Sequence, residues 1–210
     1  LGVLITDHST ASATGLLDIH LLQWDPEALH LAAIRADQLP ELVPTTKILP
    51  GLRPEAAQAM QLPAATPVIA GAGDGPLANL GVGAIRPGVA ACSIGTSGAL
   101  RLTAERPVVD QQGRTFCYAL TEQRWVIGGA INNGGLVLQW AGDALAPEFG
   151  DGREDQLLAQ AATVPPGSGG LIMLPYLHGE RAPHWSTIPC GVYIGLTRQH
   201  RRPHLIRAAL

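Results

Sequence analysis

Ala70-Gly71-Ala72-Gly73-Asp74-Gly75-Pro76 and Ser93-Ile94-Gly95-Thr96-Ser97-Gly98 are the two segments on which the reading of this chain turns. The first ends an apolar run, Pro67-Val68-Ile69-Ala70, in a glycine-lined turn that presents one carboxylate. The second ends another run, Val89-Ala90-Ala91-Cys92, in a tight turn of small hydroxyl and glycine residues. Both runs read as strands, so each turn lies at a strand's mouth. A lone acid and a phosphate-sized loop point to transfer of a phosphoryl group onto a hydroxyl. The acid orients the hydroxyl and accepts its proton, and the loop holds the charged phosphates.

Working outward, Pro67–Ala72 reads as a buried strand, and Asp74 can cap a helix over Gly75–Ala84. The glycines at 81 and 83 suggest close packing or a bend there. Upstream, Leu1–Ile5 reads as the end of a strand, and Asp25-Pro26-Glu27 starts a helix that should run to about Arg35. The proline-rich stretch from Pro40 to Pro54 reads as loop and turns, with a short helix over Pro54–Met60. Beyond Gly88 the pattern becomes strand-rich, with strands at Val89–Ile94, Ala99–Thr103, Thr115–Thr121 and Trp125–Gly129. Helices follow at Gly134–Leu145 and Arg153–Thr163, then a strand at Leu171–Leu174 and a helix beginning near Pro203. The change of pattern at Arg86-Pro87-Gly88 places a domain boundary there, giving domains 1–87 and 88–210.

The 210 residues are 46% apolar and only 15% charged, which favours a packed core over disorder. A net charge of −3 argues against a nucleic-acid partner. No apolar run reaches the length of a membrane span. Cys92, Cys117 and Cys190 form no CxxC pair, and reduced thiols in the cytoplasm are the simplest reading. The chain opens with Leu1 rather than Met and closes inside a helix, and so reads as an internal piece of a longer protein.

Each motif has a plainer alternative. Asp74 caps a helix as readily as it takes a proton. Gly95-Thr96-Ser97-Gly98 can form a concave anion site with hydroxyl donors or an ordinary hairpin turn. Gly128-Gly129 and Gly134-Gly135 flank Ala130-Ile131-Asn132-Asn133, which exposes a helix N-terminus to phosphate or simply packs. His178-Gly179-Glu180-Arg181-Ala182-Pro183-His184 matches no common zinc spacing, and a salt-bridged loop at a domain junction is the better account. Arg198-Gln199-His200-Arg201-Arg202 reads as a solvated loop before a helix rather than a phosphate patch.

Taken in order, these pieces resemble the FGGY family of carbohydrate kinases. The resemblance rests on Thr6-Asp7-His8-Ser9-Thr10-Ala11-Ser12, the Gly71–Gly75 turn, Gly81-Val82-Gly83, Ile94–Gly98, Gly179–Pro183 and Gly191–Thr197, and it covers essentially the whole chain. Three stretches, Ser12–Ile19, Gly113–Glu122 and Gly128–Gly135, are similar to the gluconate kinases of that family.

The resemblance implies a mixed α/β, actin-like (ribonuclease H-like) fold with two domains around a cleft. Residues 1–87 would end the sugar-binding domain and 88–210 would open the nucleotide-binding domain. It further implies Asp74 as the general base and substrate contact, Gly95 and Thr96 on the ATP phosphates, Ser97 and Gly98 shaping that turn, and Gly135 and Gln139 lining the nucleotide site. ATP with Mg²⁺ and D-gluconate are the implied ligands, with a pentulose or another polyol, or a non-catalytic nucleotide-binding module, as alternatives. A homodimer in the cytoplasm is compatible with this reading. No metal ligand is assigned within the chain; by the resemblance the family's magnesium-associated aspartate would lie before Leu1 and its adenine-binding segment after Leu210. Relatives often carry an arginine where Cys190 stands.

Overall fold

Caps and left-handed residues, more than long periodic runs, set the elements of the first part of the chain. The computed structural model describes residues 2–210. The strand expected over Leu1–Ile5 starts outside them, at Leu1, and the first strand observed is β1 (Ile5–Asp7). Asp7 then caps α1 (His8–Ser12), its Oδ1 accepting the Thr10 N–H at 2.8 Å. A small ribbon, β2 (Leu17–Asp18) with β3 (Gln23–Trp24), leads to α2 (Pro26–Leu31). Asp25 starts that helix as expected, accepting the N–H groups of Glu27 and Ala28.

The helix stops at Leu31, short of the expected Arg35, because Ala33 takes a left-handed φ of 56°. Two bonds, Ile34 N–H to the Leu29 carbonyl and Ala33 N–H to the His30 carbonyl, close it as a Schellman motif. The stretch expected to be loop contains two short strands. β4 (Glu41–Val43) pairs in parallel with β1, matching Asp7 to Val43, and β5 (Ile48–Leu49) precedes α3 (Pro54–Met60).

β6 (Val68–Ile69) pairs with β5 alone, so the expected buried strand over Pro67–Ala72 is a two-residue ribbon, with Ile69 51% exposed. α4 runs Asp74–Gly81, shorter than the expected Gly75–Ala84. Gly83 ends it at φ +72°, where Ala84 N–H bonds to the Asn79 carbonyl and Gly83 N–H to the Leu80 carbonyl. That left-handed conformation is why a glycine stands at 83. No atom approaches the Cβ position of Gly81 within 4 Å, so packing does not explain that glycine.

The strand-rich middle matches its reading closely. β7 (Ala90–Ile94), β8 (Gly98–Ala104), β9 (Phe116–Thr121) and β10 (Arg124–Ile131) form a four-stranded sheet in the order β7-β8-β10-β9. The β9–β10 hairpin is antiparallel, pairing Val126 with Tyr118, and carries a bulge at Arg124/Trp125. Alternation puts the rings of Phe116 and Tyr118 on one face, stacked 4.5 Å apart.

α5 (Leu136–Leu145), α6 (Glu154–Ala162), β11 (Ile172–Leu174), β12 (Val192–Ile194) and α7 (Arg202–Ala209) complete the chain. Ala146, Leu157, Ala161 and Ile206 form the buried core among these three helices. The basic run does more than meet solvent. Arg201 bonds the carbonyls of Arg198 and His200, and Arg202 pairs with Glu148 and lies over the Phe149 ring, 5.5 Å from its centre. Two compact units result: the chain up to Ala91 with Arg101–Gly128, and Cys92–Leu100 with Gly129–Leu210.

Candidate active site

In the first unit, β6 delivers the chain into a turn whose backbone is bonded at three points. Ala70 N–H donates to the Lys47 carbonyl (3.0 Å), Gly71 N–H to the Thr45 carbonyl (2.9 Å), and Gly73 N–H to Oγ of the buried Ser9 (3.2 Å). Each anchor is itself fixed. Thr45 Oγ1 donates to the Leu120 carbonyl, and Ser9 sits on α1, where Ser12 Oγ accepts the Ala119 N–H.

Asp74 emerges from this seat as the first residue of α4, one place inside the N-cap, which is Gly73. Its carboxylate is exposed, and among the described residues its one hydrogen bond is from the Gly75 N–H, at 2.7 Å. The Arg101 guanidinium runs alongside, 3.4 Å from where a Cβ on Gly75 would lie. A rigid backbone thus presents an acceptor with most of its lone pairs unused, the state a proton-accepting base needs.

A cavity of about 330 Å³ lies behind the same turn, lined by Gly71, Ala72, Leu77, Leu80 and Ile85. Two of its threonines have their hydroxyls committed, Thr45 to Leu120 and Thr103 to the Ala84 carbonyl. Its apolar wall suits no polyhydroxylated ligand, so the exposed side of Asp74 is the candidate substrate face.

In the second unit the Gly95–Gly98 turn closes on itself through Gly95 N–H to the Ser97 carbonyl, at 2.8 Å. The start of α5 clamps it from behind. Gly135 N–H donates to the Gly95 carbonyl (2.7 Å), and the N–H groups of Gly134 and Leu136 both donate to the Thr96 carbonyl (3.2 Å each). Of the two readings of this glycine-rich segment, an anion-facing helix start or a packing turn, the bonds support the packing turn: these amides are occupied in holding Gly95–Gly98. The turn's outer side carries the donors instead. Thr96 and Ser97 are exposed, and their hydroxyls make no bond to protein among the described residues. A Cβ on Gly134 would stand 2.8 Å from the Gly95 oxygen and from the Ser97 carbonyl carbon, so only glycine permits this approach. Gln139, one helical turn further along α5, is exposed and borders a cavity of about 310 Å³ with Trp140, Asp143 and His178.

The Gly179–Pro183 loop is not salt-bridged, contrary to expectation. The buried Glu180 carboxylate accepts the N–H groups of Asn132 (2.6 Å) and Arg181 (2.8 Å) and the side-chain amide of Asn133 (3.0 Å). Arg181 reaches the Ile131 carbonyl at 2.8 Å. His184 lies edge-on to Tyr176, and no group of three metal-ligating side chains occurs among the described residues. This network was missed in the sequence, where only the shared Gly-Glu-Arg-Ala-Pro text marked the loop.

The model of the FGGY family of carbohydrate kinases, N-terminal domain, matches residues 1–81, and that of the family's C-terminal domain matches residues 90–210. The chain belongs to the FGGY family of carbohydrate kinases. It is 48% identical over 213 residues to the gluconokinase of Bacillus subtilis (strain 168), an alignment that covers 98% of this chain and 42% of that protein. A gluconate kinase and a ligand-bound xylulose kinase, both from Lactobacillus acidophilus, each match with a TM-score of 0.93 at 39% identity, over 99% of this chain and 42% of theirs. This FGGY chain therefore spans 42% of the length of these relatives. The mixed α/β fold read from its strands and helices is that of the FGGY kinases. Among the described residues no helix is long and apolar enough to cross a membrane.

Proposed function

We propose that, in the intact gene product that carries it, this chain transfers the γ-phosphoryl group of ATP to the terminal hydroxyl of D-gluconate, giving 6-phospho-D-gluconate and ADP. The exposed carboxylate of Asp74, held on a fixed backbone with one hydrogen bond among the described residues, carries the proposal. It orients the acceptor hydroxyl and takes its proton as the new O–P bond forms and the bond to the ADP oxygen breaks. Gly95, Thr96, Ser97 and Gly98 meet the phosphates, Gly135 sets that turn from behind, and Gln139 borders the nucleotide. Positioning and charge stabilisation supply most of the rate in such a transfer.

In this reading residues 1–87 end the sugar-binding domain and residues 88–210 open the nucleotide-binding domain. Mg²⁺ accompanies the phosphates of ATP. It asks for no cage of protein ligands, being held by one or two carboxylates, water and substrate oxygens. A cytoplasmic homodimer belongs to the same reading.

The 48% identity to a gluconokinase supports gluconate as the acceptor. The equal structural match to a xylulose kinase favours a pentulose as the second reading. ADP release from ATP, measured with D-gluconate, D-xylulose and glycerol in turn, separates them. The expected result is a kcat/KM for gluconate at least roughly tenfold above the other two, a difference of about 1.4 kcal/mol. Release with xylulose alone replaces the acceptor. Nucleotide binding without acceptor-dependent release leaves a binding module.

A further inference from the structure

Glu180 is only 4% exposed, and among the described residues no cation pairs with it. A buried carboxylate persists without a counter-ion only where hydrogen-bond donors replace water. Its three donors are the Asn132 and Arg181 N–H groups and the Asn133 amide. Asn133 is 6% exposed and satisfied throughout: Nδ2 also donates to the Gly179 carbonyl (2.7 Å), and Oδ1 accepts the N–H groups of Leu177 and His178 (3.0 and 3.2 Å). The next three residues, Gly134, Gly135 and Leu136, are those whose N–H groups hold the Gly95 and Thr96 carbonyls. The approach at Gly134 leaves no slack between the two segments.

We propose that Glu180 is a positioning residue for the nucleotide-phosphate turn. Through Asn132 and Asn133 it fixes the start of α5, and through those amides it sets the angle at which Gly95–Gly98 meets the phosphates. It touches neither substrate. The proposal rests on the reading of that turn as the phosphate cradle.

Glu180→Gln preserves volume but offers acceptors on one side only. With its oxygen on the Asn132 and Arg181 N–H groups, its NH₂ faces the Asn133 NH₂, donor against donor. In the intact gene product this variant should bind ADP roughly tenfold or more weakly, with KM for ATP raised likewise and KM for the sugar unchanged, as expected when a displacement well under 1 Å is passed to a binding loop. ADP affinity within twofold of wild type in the folded variant overturns the proposal.

Amide exchange on the wild-type protein tests it without any variant. The Gly134–Leu136 amides should be protected before nucleotide is added and unchanged by ADP. Protection that appears only with ADP means these amides face the phosphates, and the relay fails. A wild-type protein that binds no ADP overturns the functional reading as well. One that binds ADP and is unmoved by Glu180→Gln overturns this inference alone.

Discussion

The Asp74 turn and the Gly95–Gly98 turn both join a short strand to the next element through glycine, yet they are built in opposite ways. At Asp74 the candidate group is a side chain. Its backbone is anchored by Thr45, Lys47 and Ser9, while among the described residues the carboxylate's one hydrogen bond is from the neighbouring Gly75 N–H. At Gly95–Gly98 the candidate groups are the exposed Thr96 and Ser97 hydroxyls, and the carbonyls of the same turn are gripped by the Gly134, Gly135 and Leu136 amides. In the first turn the candidate group hangs clear of the bonds that fix the backbone, and in the second those bonds fall on the residues that carry the candidate groups. Substitutions should therefore divide along the same line.

The largest effect is expected at the carboxylate. Asp74→Asn should lower kcat roughly 10²–10⁴-fold, the usual contribution of a general base. The thermal midpoint should stay at the wild-type value, since an exposed group with one local bond is all that changes. Turnover within a few-fold of wild type would remove the base assignment, and a large drop in the midpoint would remove the claimed separation.

A matched pair of glycine replacements sharpens the contrast. Gly134→Ala drives a methyl against backbone atoms at 2.8 Å and should destabilise the protein by about 1–3 kcal/mol, as overpacking does, while raising KM for ATP more than for the sugar. A Cβ on Gly75 would have the Arg101 guanidinium as its nearest neighbour, at 3.4 Å, an ordinary van der Waals contact. Inside α4, Gly75→Ala should be neutral or stabilising by up to about 1 kcal/mol. Denaturant midpoints of the two variants measured side by side decide the matter. Equal losses would mean that the two turns are built alike.

This contrast also governs what could be read in the sequence. The turns that carry Asp74 and the Thr96-Ser97 pair were legible because small residues flanking a polar one at a strand's mouth leave a local trace. The sheet from β7 to β10 was legible because turn residues punctuate its apolar runs. The end of α2 was not, because an alanine at 33 adopts the left-handed φ that usually calls for glycine. Gly83 was read as a sign of close packing or a bend, and its left-handed conformation at the end of α4 is the bend. β1 and β4 are three residues each and stabilise one another only as a pair. The Glu180–Asn133 bond joins residues 47 apart and satisfies a charge with amides, so no run of opposite charge announces it.

A probe outside both turns tests whether the unit that contains Gly95–Gly98 can be loosened by itself. Tyr193, on β12, donates its hydroxyl to the Leu205 carbonyl of α7 at 2.9 Å and lies 6.5 Å from the Trp140 ring. Burial pushes its phenol from 10.0 up to about 12. Because the folded state favours the neutral phenol, this contribution is fully present below pH 10. As the pH rises from 10 towards 12, the unfolded chain ionises first and stability falls. Tyrosinate absorbance should show a step near pH 12 that Tyr193→Phe abolishes. Across the same window, amide exchange should quicken in α7 and β12 before it does in α1 and α4. Simultaneous loosening of all four elements would mean that the Asp74 turn shares its stability with the unit that holds the phosphate turn.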